Sequence, residues 1–573
     1  MPCCGLTPPI KGEIFEIAAN FAYLTNGIYF VYDLFRMPKV LPTNILLGQT
    51  VKFEKVVWVF SSLFLFTAYL THLGYIPLDI ETDEARRALV SLEMMLSKNY
   101  LTPTLNGELF LNKPPLYNWL VIASVKLCGS FSMFAFRLPV IISLACMGTA
   151  VYYFTKKYTS SLIAFFTAFA FCTNGRIFIY DSFQGLIDTT FSCIVYLNFM
   201  VIFWLGEQKK FALLFLLSYL LTAIGFLTKG MPMLVFQGVS LITYFVLKDN
   251  VKRLLQPVHF LGLGVLVLVP GAYYIAYFSI NPIPLSTLFS NLLHESTKRT
   301  GLELGAEKTF FHFFSFPFGF LFHFAPWTIF SIALVQKNVL KKIKENSFIH
   351  YSASIFMANL MVYWLSPEVY PRYLFMFLPL FFSVVFYLYF NHTAGKWQQL
   401  VIDKVVFIFC AGLLLASCAT PFIKYTDLIM HAGIKAGVLA MLLLATLHFA
   451  ITHKSGRLYA FIVAIIIARF GFNLFVIEQR GARYFKAEET ANTIAVITQG
   501  QPLYLLKNAA VGNFDGMTFH ISKRRQQLLQ FSDSNHWGAF YIADIKQLKD
   551  RKYINYLQFN NYLSDTLQLV KFR

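Results

Sequence analysis

The chain has 573 residues, of which 57% are hydrophobic and 18% aromatic, while only 13% are charged. A soluble chain carries about 25% charged residues, so this balance excludes an ordinary soluble domain. The net charge of +19 invites a nucleic-acid reading. That reading is rejected, because the Lys and Arg residues sit in short clusters between apolar runs, as on the cytoplasmic loops of membrane proteins. The eight Cys are scattered without a CxxC, which implies neither a metal site nor a disulfide framework.

In chain order, residues 1–54 form an N-terminal segment opened by no standard signal-peptide pattern. Its apolar stretch 14–35 is broken by Asn20, Asn26, Gly27 and Asp33 and reads as non-spanning. Thirteen longer apolar runs follow, at 55–75, 137–155, 159–178, 185–205, 211–228, 231–247, 257–279, 309–335, 347–365, 373–391, 402–421, 430–451 and 457–477. Most are near the length that crosses about 30 Å of hydrocarbon. A further stretch, 114–128, is shorter and interrupted by Asn118 and Lys126. If it does not cross, Lys156-Lys157, Lys209-Lys210, Lys252-Arg253, Lys341-Lys342 and Arg457 all fall on one side. That is the positive-inside pattern, so 114–128 reads as a helix lying in the interface. The N-terminus is then cytoplasmic, and residues 55–477 form a transmembrane domain with a large outer loop, 76–136. From 478 to 573 the composition becomes that of a soluble domain. Helical (487–497, 545–548) and strand (502–506, 539–542) patterns alternate there, as in a small extracytoplasmic α/β domain.

This topology gathers the unusual polar residues on the outer side. The first outer loop holds Asp79, Glu81, Asp83, Glu84, Arg86, Arg87, Glu93 and Lys113. Asp83 and Glu84 open a helix read as 83–97, where acids favour the positive helix N-terminus. Asp181 and Asp188 stand at the outer start of one span, and Lys229 lies between two spans with almost no loop. His294, Glu295, Lys298 and Arg299 precede another span, and Glu368, Arg372 and Tyr373 stand at the start of a further one. Singly, each has an ordinary account as a helix-end acid, a snorkelling lysine or an interface anchor. As a set on one face they point to a functional pathway, because charges at membrane depth are costly.

The blocks Asp83-Glu84-Ala85-Arg86, Glu93-Met94, Thr102-Pro103, Lys113-Pro114-Pro115-Leu116 with Trp119, Arg137-Leu138-Pro139, Thr228-Lys229-Gly230, His294 to Arg299, and Ser366-Pro367 followed by Arg372-Tyr373 resemble the GT-C membrane glycosyltransferases. The similarity is greatest to the ArnT and protein O-mannosyltransferase families. Where some relatives carry an acid before Lys-Pro, this chain has Asn112.

The resemblance implies a GT-C fold of about thirteen transmembrane helices, with the small C-terminal domain outside the cytoplasm of a plasma (inner) membrane. It implies inverting transfer of a sugar from a polyprenyl-phosphate donor to a lipid, protein or glycan acceptor at the outer face, with no nucleic acid. Asp83 and Asp188 are expected as catalytic acids. Glu84, Lys113, Lys229, Arg299, Arg372 and Tyr373 are expected to bind substrate, the cations meeting the phosphate charge. No metal ligand is assigned, although a divalent metal shared with His294 is left open. The alternative is a transporter or flippase of lipid-linked saccharides, which internal repeats would favour and none are seen. A non-catalytic scaffold would not need the Asp-Glu to Lys-Pro-Pro block.

Overall fold

The structure, a computed structural model, describes residues 43–78, 83–393, 396–426, 429–507, 515–533, 536–549, 551–560 and 566–573. The 14–35 stretch, Asp79 and Glu81 lie outside them. The chain divides into two compact units, Met1–Ser62 and Leu63–Arg573. In the first, the described residues are helical from Thr43 onward. The second is mostly helical and carries a small sheet near its end.

Among the described residues, eight helices are long and apolar enough to cross a membrane. A ninth arises if Ser161–Thr173 and Arg176–Phe183, bent by 46°, count as one broken span. The protein is therefore multi-pass, but the thirteen expected spans are not matched one for one. Pro232–Leu247 is only 16 residues long. The run at 309–335 is split into the helix Ala306–His323, with Pro317 inside it, and the 3-10 turn Trp327–Leu334 that follows Pro326. Proline removes a helical donor and clashes with the preceding turn, which hydropathy does not register. The stretch 114–128 forms the short helix Leu116–Cys128.

Aromatic rings fill the bundle interior. Trp327, Phe386, Phe330 and Phe166 pack their rings together at centroid separations of 4.7–6.5 Å, mostly edge-on or tilted. A buried polar ladder crosses the bundle as well. Asn198 donates to Gln237 (2.6 Å), whose amide donates to Ser218 (3.0 Å). Such bonds join helices where burial from water cannot drive association.

The C-terminal region folds as expected into a small α/β layer, with more elements than its sequence announced. Five strands lie in the order Gln530–Ser532, Leu503–Leu506, Phe540–Asp544, Thr566–Phe572, Tyr553–Asn560. The first two pairings are parallel and the last two antiparallel. Leu503 and Leu505 point into a core with Ile494 of the helix Glu478–Ile497 and with Met517 and Ile521 of the helix Asp515–Arg525. Tyr504 and Leu506 face the opposite side, the period of two of a strand. The helix Asp515–Arg525 also packs on the helix Asp83–Ser97. Phe519 joins a buried cluster with Leu89, Phe131 and Phe136.

Candidate active site

The helix Asp83–Ser97 is fixed from below by its second residue. Glu84 is fully buried, and Arg137 grips both its oxygens (2.8 and 3.1 Å). The same guanidinium donates to the carbonyls of Leu73 and Ile76 (3.0 and 2.9 Å). Glu84 also accepts the Gly185 N–H at 2.7 Å, which ties the turn before Asp188 to the helix. A Cβ on Gly185 would come within 2.4 Å of the Phe136 ring, so the close approach needs glycine. Glu84, expected from the sequence to bind substrate, is thus held away from the cavity, because successive helical residues point about 100° apart.

Asp83, one residue earlier, lines a cavity of about 190 Å³. Lys113, Asp188, Lys229, Arg299 and Tyr373 line it too. Arg372 lies behind the wall and links two of them. Its Nη2 donates to Asp83 at 2.9 Å, and its Nε is 3.1 Å from Asp188. Asp188 accepts from Lys229 at 2.5 Å. The Lys229 ammonium sits 4.0 Å from the centroid of the Tyr373 ring, a cation–π geometry. Arg299 donates to the Tyr373 hydroxyl and lies 3.7 Å from Glu368. Local chain geometry explains these positions. Lys229 is the last residue of its helix, and Gly230 (φ 92°) turns the chain at once into the next span. Arg299 follows the helix Leu285–Thr297, and Ser366 holds its carbonyl at 2.8 Å.

Lys113 pairs with Glu295 at 3.3 Å, and Glu295 also holds Lys298 at 2.5 Å. Burial lowers the Lys113 ammonium to about 8; Glu295 opposes the shift, and the charges of Lys229 and Arg87 add to it. Burial raises the Glu295 carboxyl, but Lys298 and Lys113 outweigh that and hold it below the usual range. Glu93 anchors the hairpin Thr104–Leu105/Glu108–Leu109 that leads to Lys113. It accepts from Thr104 (2.6 Å) and from the Asn106 N–H (2.7 Å).

Seven of the eight sequence-selected residues thus meet at one cavity or directly behind it; Glu84 does not. Asp181 is turned to Arg176 at 2.5 Å. His294 is exposed and off the cavity wall, whereas Asn112 is on it. Among the described residues no three His, Cys, Asp or Glu side chains converge as a metal site. The sequence reading assigned no role to Arg86, Arg87 or Asp515. Arg86 bridges Asp83 (3.8 Å) to Asp515 (3.2 Å) of the C-terminal region. Its position in the Asp83 helix was a signal; nothing in the sequence joins it to Asp515.

A multi-pass helical bundle with a charged cavity at helix ends, beside a short loop helix and a small α/β layer, is the GT-C membrane glycosyltransferase fold. Residues 112–275 match the family model for dolichyl-phosphate-mannose-protein mannosyltransferase. ArnT of Cupriavidus metallidurans, solved bound to undecaprenyl phosphate, superposes with a TM-score of 0.63. That match covers 89% of this chain and 97% of that one at 14% identity. Its apo structure gives 0.62. Among curated proteins, an undecaprenyl phosphate-alpha-4-amino-4-deoxy-L-arabinose arabinosyl transferase of Proteus mirabilis is 28% identical over 195 residues, 32% of this chain and 34% of that protein. An uncharacterized protein of Aquifex aeolicus is 24% identical over 264 residues, 45% of this chain and 51% of its own. The chain therefore spans about half the length of one curated relative and about a third of the other. It is a multi-pass membrane protein with the GT-C fold, similar to ArnT.

Proposed function

We propose that the protein is a glycosyltransferase that moves a sugar from a polyprenyl-phosphate carrier to an acceptor, with inversion, at the outer face of the membrane. The observation that carries this reading is the convergence of Lys113, Lys229 and Arg299 with Asp83 and Asp188 on one cavity at the ends of membrane helices. A lipid-linked donor keeps its tail in the bilayer and brings its phosphate to such a rim. In the transfer, an acceptor oxygen attacks the anomeric carbon, the bond from that carbon to the phosphate oxygen breaks, and the lipid phosphate leaves. The leaving group gains negative charge, which preorganised cations stabilise without reorganisation. Asp83, half exposed at the cavity wall, takes the proton when the acceptor is a hydroxyl. An acceptor phosphate is already ionised and needs only positioning. Asp188, buried between Lys229 and Arg372, orients both cations. Glu84 acts as the anchor of this helix rather than as a ligand.

The acceptor is a lipid A-like glycolipid, a protein or a glycan, of which the matched family model names the protein. Transfer assays with purified protein, a radiolabelled polyprenyl-phosphate sugar, and lipid or protein acceptors distinguish these. Transport of the intact donor across vesicles without sugar release would overturn the transferase reading in favour of a flippase.

A further inference from the structure

Arg87 lies on the first turns of the helix Asp83–Ser97, lines the cavity and is 5% exposed. Among the described residues, every other cation on the cavity wall has a carboxylate within 4 Å. Arg86 has Asp83 and Asp515, Lys113 and Lys298 share Glu295, Lys229 has Asp188, and Arg299 has Glu368. Arg87 has none among them, and its buried Nη1 makes no hydrogen bond. Its guanidinium carbon sits 4.8 Å from the centroid of the Phe110 ring. The guanidinium thus lies over an aromatic ring, with Nη1 left without a hydrogen bond.

Burial lowers Arg87 only to about 10, so it is a cation at neutral pH. A buried charge without an ion pair is unfavourable; Asp83 and Asp188 favour the cation from beyond pairing distance, and Arg86 opposes it. The planar fork of a guanidinium matches two oxygens of one oxyanion. We propose that Arg87 is the unassigned ligand of an oxyanion, a phosphate or carboxylate, carried by one of the two substrates. The inference rests on the cavity taking a polyprenyl-phosphate sugar, and two sources share the chemistry: the donor phosphate and an anionic group of the acceptor.

The test uses the full-length protein in nanodiscs and the variants Arg87→Gln and Arg87→Lys. Without ligand, Arg87→Gln melts no lower than wild type, because the charge it removes has no ion pair; an arginine that merely braces the fold would lower the midpoint. The ligand probes are a short-chain polyprenyl phosphate and the neutral polyprenol of equal length. A tenfold or greater loss of polyprenyl-phosphate affinity in Arg87→Gln, only partly restored by Arg87→Lys, assigns the donor phosphate. Unchanged donor affinity, with a tenfold higher KM for a phosphorylated glycolipid but not for its dephosphorylated twin, assigns the acceptor. Affinity and KM both within twofold of wild type overturn the proposal, as does a lowered midpoint with unchanged binding. A wild-type protein that does not distinguish the phosphate from the polyprenol sinks the lipid-phosphate reading itself, a result separable from failure of Arg87 alone.

Discussion

Arg372 touches two carboxylates in very different settings. The Asp83 side chain is 48% exposed, whereas that of Asp188 is 6% exposed and also holds Lys229. The exposed Asp83 is open to a substrate in the cavity, whereas the buried Asp188 is enclosed between Lys229 and Arg372. Asp83→Asn is therefore expected to lower kcat by about 10²–10⁴-fold, the usual worth of a general base. Its thermal midpoint should stay near wild type. Near-normal turnover in that variant would remove Asp83 from the chemistry. Lys113 supplies a pH signature. With its ammonium lowered to about 8, the positive form persists below that pH and is lost as pH rises through it. Affinity for polyprenyl phosphate should fall between pH 7 and 9 in wild type. In Lys113→Arg the fall should vanish, although binding is weaker throughout, because a planar fork does not replace a point charge beside Pro114-Pro115. A pH slope that survives in Lys113→Arg would assign it elsewhere. Lys229 and Asp188 stood out in the sequence because a charge beside an apolar run needs a reason. Asp83 was expected as catalytic and Glu84 as a substrate ligand; that Glu84 turns away from the cavity was not legible, since it depends on Arg137 and Gly185, which are distant in sequence. Arg87 was equally illegible, because an unpaired cation is defined by the neighbours it lacks.

At the scale of elements, the helix Asp83–Ser97 is the piece on which the site is built. Its start was legible from two acids at the N-terminus, and its end from loss of apolar periodicity at Ser97-Lys98. What holds it was not legible, namely the buried Glu84–Arg137 pair. Removing one partner of such a pair costs about 3–5 kcal/mol, because the other charge is left buried alone. Glu84→Ala and Arg137→Ala should accordingly reduce folded yield and lower the melting midpoint, measured by size exclusion of a fluorescent fusion. Loss of activity with a normal midpoint would instead return Glu84 to the list of substrate ligands. The hairpin Thr104–Leu105/Glu108–Leu109 is too short to show a strand period and exists because Glu93 caps it. The strand Tyr553–Asn560 escaped notice for a related reason. It is a largely exposed edge strand of mixed polar residues, and its pairing with Thr566–Phe572 supplies the order.

For the whole molecule, the Lys and Arg clusters predict that residues 85–110, 285–305 and 480–573 share the non-cytoplasmic side. Impermeant thiol labelling from outside should mark a cysteine introduced at Asn291 and spare one at Lys342; the reverse pattern would sink the topology. The number of crossings was less legible than their presence, because a run that hydropathy counts as continuous is broken between His323 and Trp327, at Pro326. The C-terminal region reaches back to the site through Asp515, whose carboxyl is raised by burial and opposed by Arg86. Asp515→Asn should lower kcat severalfold with donor affinity retained, and Asp515→Glu should recover part of it. Equal losses in the two variants would reduce the contact to packing. Phe519, one turn further along its helix, joins the cluster of Leu89 and Phe131. Leu89 and Phe131 thus take part of their cover, and Arg86 one of its two acids, from the C-terminal region. The loop helix that opens the site is tied to a helix 429 positions away in the chain, so the seating of its charges depends on how well the C-terminal region is itself folded.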